Sequence, residues 1–148
     1  MGVLTDLFIA ADAEVRQLNF ERTPLTFLPG IDIKGIQLVE LATLQCILTG
    51  QDFTNVDYVV NLVGTFELIY EEEEAWVYKL PQPLSAALMK ASIDRISQVA
   101  ATWANTEEFR SNRIANARTI LKECLKEMVH FARQASTEGK EMYVWICL

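Results

Sequence analysis

Residues 114–148 read IANARTILKECLKEMVHFARQASTEGKEMYVWICL, and two different periods meet inside them. Ile114, Ala117, Leu121, Cys124, Met128, Phe131 and Ala135 recur at spacings of three and four, the apolar stripe of an amphipathic helix. Gly139 stands where that helix should stop, because glycine enters the left-handed C-cap conformation without a Cβ penalty. The period then switches to two. Tyr143, Trp145 and Cys147 fall on one face, and Met142, Val144, Ile146 and Leu148 on the other. A strand that is apolar on both faces has to be covered on both, which puts it near the centre of a sheet. Upstream, Thr106 is a cap with Glu107 and Glu108 in the first turn, where the helix dipole favours acids, so one long helix is expected from about Glu107 to Thr137.

Working outward, Val3 to Ala10 is a nearly continuous apolar run of strand length, expected beside the C-terminal strand. Asp12 reads as the N-cap of a helix through about Phe20, with Glu14 in its first turn. Pro24, Pro29, Gly30 and Gly35 then punctuate an irregular connection. Leu41, Leu44 and Leu48 give a buried helix over Ile36 to Thr49 that ends at Gly50. Asn55 caps a shorter one in which Val56, Val59, Val60 and Val63 keep a helical period up to Gly64. Thr65 to Tyr70 and Trp76 to Leu80 read as a hairpin around the acidic turn Glu71, Glu72, Glu73 and Glu74. Pro81 and Pro83 end it and open a helical region that breaks near Ser92, a second N-cap, and resumes through Ile93, Ile96, Ala100 and Trp103. The fold class is therefore α+β: a helix-rich single domain over residues 1–148, with a small, mostly antiparallel sheet built from an N-terminal strand, a central hairpin and a C-terminal strand, and a long C-terminal amphipathic helix.

Composition narrows the function classes. Hydrophobic residues make up 51% and charged residues 22% of the 148, too apolar for disorder, yet no apolar run reaches the ~20 residues of a membrane span. Residues 1–80 hold thirteen acids against four bases, and 81–148 seven against nine, within a net charge of −7. So acidic a chain lacks the clustered positive field that phosphates require, which argues against nucleic acid and for a basic protein partner. Asp6 interrupts the first apolar run, no basic residue precedes it, and Asp6 also breaks the myristoylation pattern after Gly2; neither a secretory signal nor a lipid anchor is expected. Cys46, Cys124 and Cys147 are an odd number without close spacing, which argues against a disulfide framework or zinc knuckle and for a reducing cytoplasm.

No catalytic set emerges. His130 is the sole histidine, which removes every scheme that needs paired imidazoles, and it projects away from the apolar stripe among Lys126, Glu127 and Arg133. Cys124 and His130, six residues apart on one helix, project to different sides. No metal-spaced acids, glycine-rich phosphate loop or nucleophile elbow is present, so neither a metal nor a cofactor is expected. Arg118, Lys122, Lys126 and Arg133 form a basic ridge, expected to pair with Glu123, Glu127 or the acidic half of the chain.

Two clusters remain as candidate sites. One is the helix junction with Trp103, Glu107, Glu108, Arg110 and Arg113, where a carboxylate can act as acid or base and a guanidinium can clamp an anion. The other is the Glu71 to Glu74 turn, a docking patch for a basic protein. Self-association into a homo-oligomer, and a structural role in which another chain completes the Met142 to Leu148 strand, are further expectations. Leu80-Pro81 through Leu84, the run Trp103-Ala104-Asn105-Thr106-Glu107-Glu108-Phe109 and Tyr143-Val144-Trp145 resemble segments of small bacterial proteins of unknown function. The resemblance covers the C-terminal half, implies a bacterial cytosolic origin and transfers no functional residue.

Overall fold

A computed structural model describes residues 2–111 and 116–148. The strands are β1 (Leu4–Ala10), β2 (Gly30–Asp32), β3 (Glu67–Glu72), β4 (Ala75–Lys79) and β5 (Glu141–Cys147). They form one antiparallel sheet in the order β2-β1-β5-β4-β3. The helices are α1 (Asp12–Val15), α2 (Leu38–Thr49), α3 (Val56–Val63), α4 (Gln82–Lys90), α5 (Ile93–Ala104), α6 (Glu107–Ser111) and α7 (Ala117–Glu138). This is the α+β arrangement that the pattern implied, with the C-terminal strand at the centre.

The central pair is β1 with β5, in register from Leu4 opposite Cys147 to Ala10 opposite Glu141. Both edges of β5 are used within the chain, by β1 and β4, so this strand offers no open edge for another chain to complete. Alternation divides its side chains. Met142, Val144 and Ile146 join Leu7 and Ile9 in a core shared with α2, α4, α5 and α7. Tyr143 and Trp145 join Phe8, Ala10 and Val77 on the opposite face, under Val15 and Phe20. Fully burying one such large apolar side chain contributes about 1.5–3 kcal/mol, so neither face is dispensable.

Three local expectations are corrected. The helix after Asp12 lasts only from Asp12 to Val15, and Ala11 holds the N-cap position. Beyond it Leu18, Phe20, Leu25 and Leu28 drape over the second face of the sheet, where burial outweighs helix continuation. The long helix expected from Glu107 is two, α6 and α7, and Asn116 stands at the start of α7 with a left-handed φ of 59°. Ile114, the first residue of the anticipated stripe, lies outside the described residues. Finally, the irregular connection contains β2, three residues long and too short to show a period.

The caps account for where the helices stop. Ser92 and Asn55 accept the backbone N–H of Arg95 and Tyr58, opening α5 and α3. Gly50 and Gly139 close α2 and α7 in the left-handed conformation, with the N–H of Gln51 and Lys140 donating back to the carbonyls of Cys46 and Ala135.

Gly30 sits where β2 meets β1. A Cβ there would press on the Leu7 carbonyl oxygen and come within 2.9 Å of the Phe8 Cα, both fixed backbone in β1. Gly30→Ala is therefore expected to cost about 1–3 kcal/mol, the range of overpacked sites. Urea denaturation measures it; an unchanged midpoint would mean that β2 is not seated as described.

Candidate functional site

The Trp103 to Arg113 junction folds as a packed corner. Trp103 lies in the last turn of α5 and is 0% exposed, and its indole N–H donates to the Glu40 carbonyl at 3.1 Å. Phe109 meets it edge to face, ring centroids 5.3 Å apart. The Thr106 hydroxyl donates to the Trp103 carbonyl at 2.6 Å, and the Arg110 N–H to the Thr106 carbonyl at 3.0 Å, which turns the chain into α6. Trp103 is thus the prop of the corner, and its ring is closed to any ligand in solvent. Glu107 and Arg110 are exposed, while Glu108 is half-buried and lies 3.5 Å from the Thr43 hydroxyl. Arg113 lies outside the described residues.

Sequence reasoning missed Glu40, which the fold brings beside Glu108. Burial pushes its carboxyl above the usual carboxylate range and Glu108 adds to the rise, opposed by the N–H groups of Glu40 and Gln37. The signal available was the Gln37-to-Glu40 spacing of a capping box. On the outer side of the corner, Phe109 also lines a cavity of about 240 Å³ with Lys34, Ile36, Ala117, Ile120 and Leu121. All but Lys34 are apolar.

The acidic hairpin divides. Glu72, Glu73 and Glu74 line a concavity of about 390 Å³ together with Glu21, Ala75 and Cys147. Glu71 is paired with Trp76 on the other face of the sheet, because side chains alternate along the strand. Glu21 comes from the connection after α1, about fifty positions away in the chain, so the acid cluster is built by the fold as well as by the turn. All four carboxylates are exposed, and no ion pair among the described residues engages them.

Two further polar groups are buried on the second face of the sheet. The Thr23 hydroxyl donates to Asp6, whose carboxyl is nevertheless raised by burial, with Asp32 adding to the rise. The Tyr143 hydroxyl donates to Asp12 at 2.9 Å, where Arg16 also donates at 2.9 Å and the Lys79 ammonium stands at 3.6 Å. Arg16 first, and then Tyr143, hold Asp12 below the usual range, while burial and the same carboxylate push the Tyr143 phenol up. This network pins α1 to the sheet.

The remaining reactive groups are placed as follows. Cys46 and Cys124 are buried, and burial raises both thiols, which keeps them protonated at neutral pH. Cys147 is half-buried. His130 is exposed with its ring against Phe131. In the basic ridge, Lys126 pairs with Glu123, but Arg133 donates to the carbonyls of Met89 and Ala91 at the end of α4 instead of to an acid. Among the described residues, no group of three His, Cys, Asp or Glu side chains is set to hold a metal ion, and no helix is long and apolar enough to cross a membrane.

Comparison of the chain with family models, curated proteins and solved structures finds no match.

The raised carboxyl of Asp6 fixes the sign of a pH effect. A folded pKa above the unfolded one means that the fold binds the proton more tightly, so Asp6 contributes stability at acid pH that is lost as the pH rises through the folded value. Asp6→Asn keeps an acceptor for Thr23 and removes the buried charge. It is expected to stabilise the protein more at neutral pH than at acid pH below the folded value, where the parent carboxyl carries its proton. Thermal unfolding across that range checks it; an equal change at both ends would contradict the assignment.

Proposed function

We propose that the protein is a non-catalytic cytoplasmic interaction module, a single domain that docks a basic protein through the acidic end of its sheet. The observation that carries this reading is the convergence of Glu21 with Glu72, Glu73 and Glu74 around one concavity. Four exposed carboxylates gathered there repel one another, a cost that folding alone does not require and that a cationic partner relieves. The shape suits a Lys or Arg side chain from a partner, with Ala75 and Cys147 as its floor. Three free thiols suit a reducing compartment. The main apolar cluster, which spans Leu7 to Ile146, supports treating residues 1–148 as one unit.

A titration with a Lys- and Arg-rich peptide at low salt tests the docking. Changing Glu21, Glu72, Glu73 and Glu74 together to Gln is expected to weaken binding at least about tenfold, the equivalent of about 1.4 kcal/mol. A control in which Glu14, Asp57, Asp94 and Glu138 become amides has the same net charge and is expected to keep most of the affinity. Equal weakening in both would show a response to overall charge, and the reading would fail.

Self-association is the second reading. Val56 and Val60 stand 70% and 61% exposed on α3, an apolar strip on a helix whose other side packs on α2. Light scattering is expected to give a dimer mass that reverts to monomer in Val56→Asp/Val60→Asp; a monomer in the parent chain would remove this reading.

A further inference from the structure

We infer that the cavity between the end of β2, α6 and the start of α7 is a binding site for a small amphiphilic carboxylate, an aromatic ring or short hydrocarbon bearing one acid group. The site is separate from the acidic concavity and does not depend on the docking reading.

Size comes first. An apolar cavity of about 150 Å³ holds one benzene ring, so the 240 Å³ here takes a ring plus a short arm. Drug-sized sites run from about 300 to 1,000 Å³, which excludes a nucleotide or a long acyl chain. The walls are apolar: Ile36 from the loop after β2, Phe109 from α6, and Ala117, Ile120 and Leu121 from the first turns of α7. Phe109 is held from behind by Trp103, itself fixed through Glu40, so the aromatic wall is rigid before any ligand arrives.

Charge selects the ligand. Among the described residues Lys34 is the one charged residue of the lining, held at the rim by a left-handed backbone (φ 59°) and by the Asp32 carboxylate, which accepts its N–H at 2.8 Å. The Lys34 ammonium stands 3.8 Å from Asp32, but the two side chains are 64% and 58% exposed, so water screens the pair and a ligand carboxylate competes for the ammonium. The field of α7 acts in the same sense. Asn116 makes no side-chain bond to the first amides of α7 and no acid occupies its first turn, so among the described residues no side chain offsets the positive end of the helix dipole beside Ala117.

Calorimetric titration with 3-phenylpropanoate, 3-phenylpropan-1-ol and 3-phenylpropan-1-amine reads ring and charge separately. The acid is expected to bind about fivefold tighter than the alcohol, the worth of one exposed ion pair, and the amine more weakly than either. Lys34→Met should remove most of the preference of the acid over the alcohol, leaving only the smaller share owed to the end of α7. Ala117→Leu, which fills the cavity, should abolish all three. Binding by none of the ligands, equal binding of acid and alcohol, or retained binding in Ala117→Leu overturns the inference. Circular dichroism verifies that each variant is folded, and Lys34→Met, at an exposed side chain, carries the charge test if Ala117→Leu is not.

Discussion

The pairing of β1 with β5 is the constraint on which everything else rests. It joins residues 4–10 to residues 141–147, the two ends of the described chain. Closing so long a segment costs about 4 kcal/mol from the length dependence alone, before any contact repays it. Repayment comes from burial on two sides at once: Leu7, Ile9, Met142 and Val144 under the helices, and Phe8, Tyr143 and Trp145 under the connection from Val15 to Leu28. At about 1.5–3 kcal/mol for each large apolar side chain, two or three of them offset the closure. The hairpin of β3 and β4 attaches to that pair through β5, and β2 attaches through β1.

The two proposed sites sit at the margins of this centre. The acidic concavity lies where the β3–β4 turn, the end of β5 and the connection after α1 meet, so its carboxylates are positioned by three segments that depend on the central pair. The apolar cavity lies past β2, between Phe109 of α6 and the first turns of α7. In the packed corner Phe109 meets Trp103 edge to face while also lining the cavity. On the second face, where the covering layer is irregular chain, the buried polar groups find partners in that layer. There the Trp145 indole N–H donates to the Phe20 carbonyl at 2.8 Å, and Thr23 and Asp12 satisfy Asp6 and Tyr143.

Much of this was legible in the residues because it is periodic. The stripe Leu121, Cys124 and Met128 gave α7, the two-sided alternation from Met142 gave a central strand, and Ser92, Asn55, Gly50 and Gly139 marked helix ends where they occur. Elements without a period were not legible. Gly30 to Asp32 is too short to alternate, Leu18 to Leu28 is held by tertiary burial with no local pattern, and the left-handed Asn116 interrupts a helix that the stripe alone would have continued. Of the candidate sites, the turn glutamates could be seen as a charge run, but Glu21 joins them only through folding. Trp103 belongs by sequence to the candidate site at the helix junction, whereas a tryptophan near a helix end serves equally well as a core prop, and only its contacts distinguish the two. The cavity residues Lys34 and Ile36 stand more than seventy positions from Phe109, and no spacing rule connects them.

Native-state hydrogen exchange tests the central claim most directly. Amides of Leu7 to Ile9 and of Val144 to Ile146 should exchange only through global unfolding, with the same free energy that denaturant titration gives, while those of β3 and α3 exchange by local opening. Exchange of β5 amides at a lower free energy than those of β3 would contradict the account, because the chain would then be organised around the hairpin and not around the joined ends.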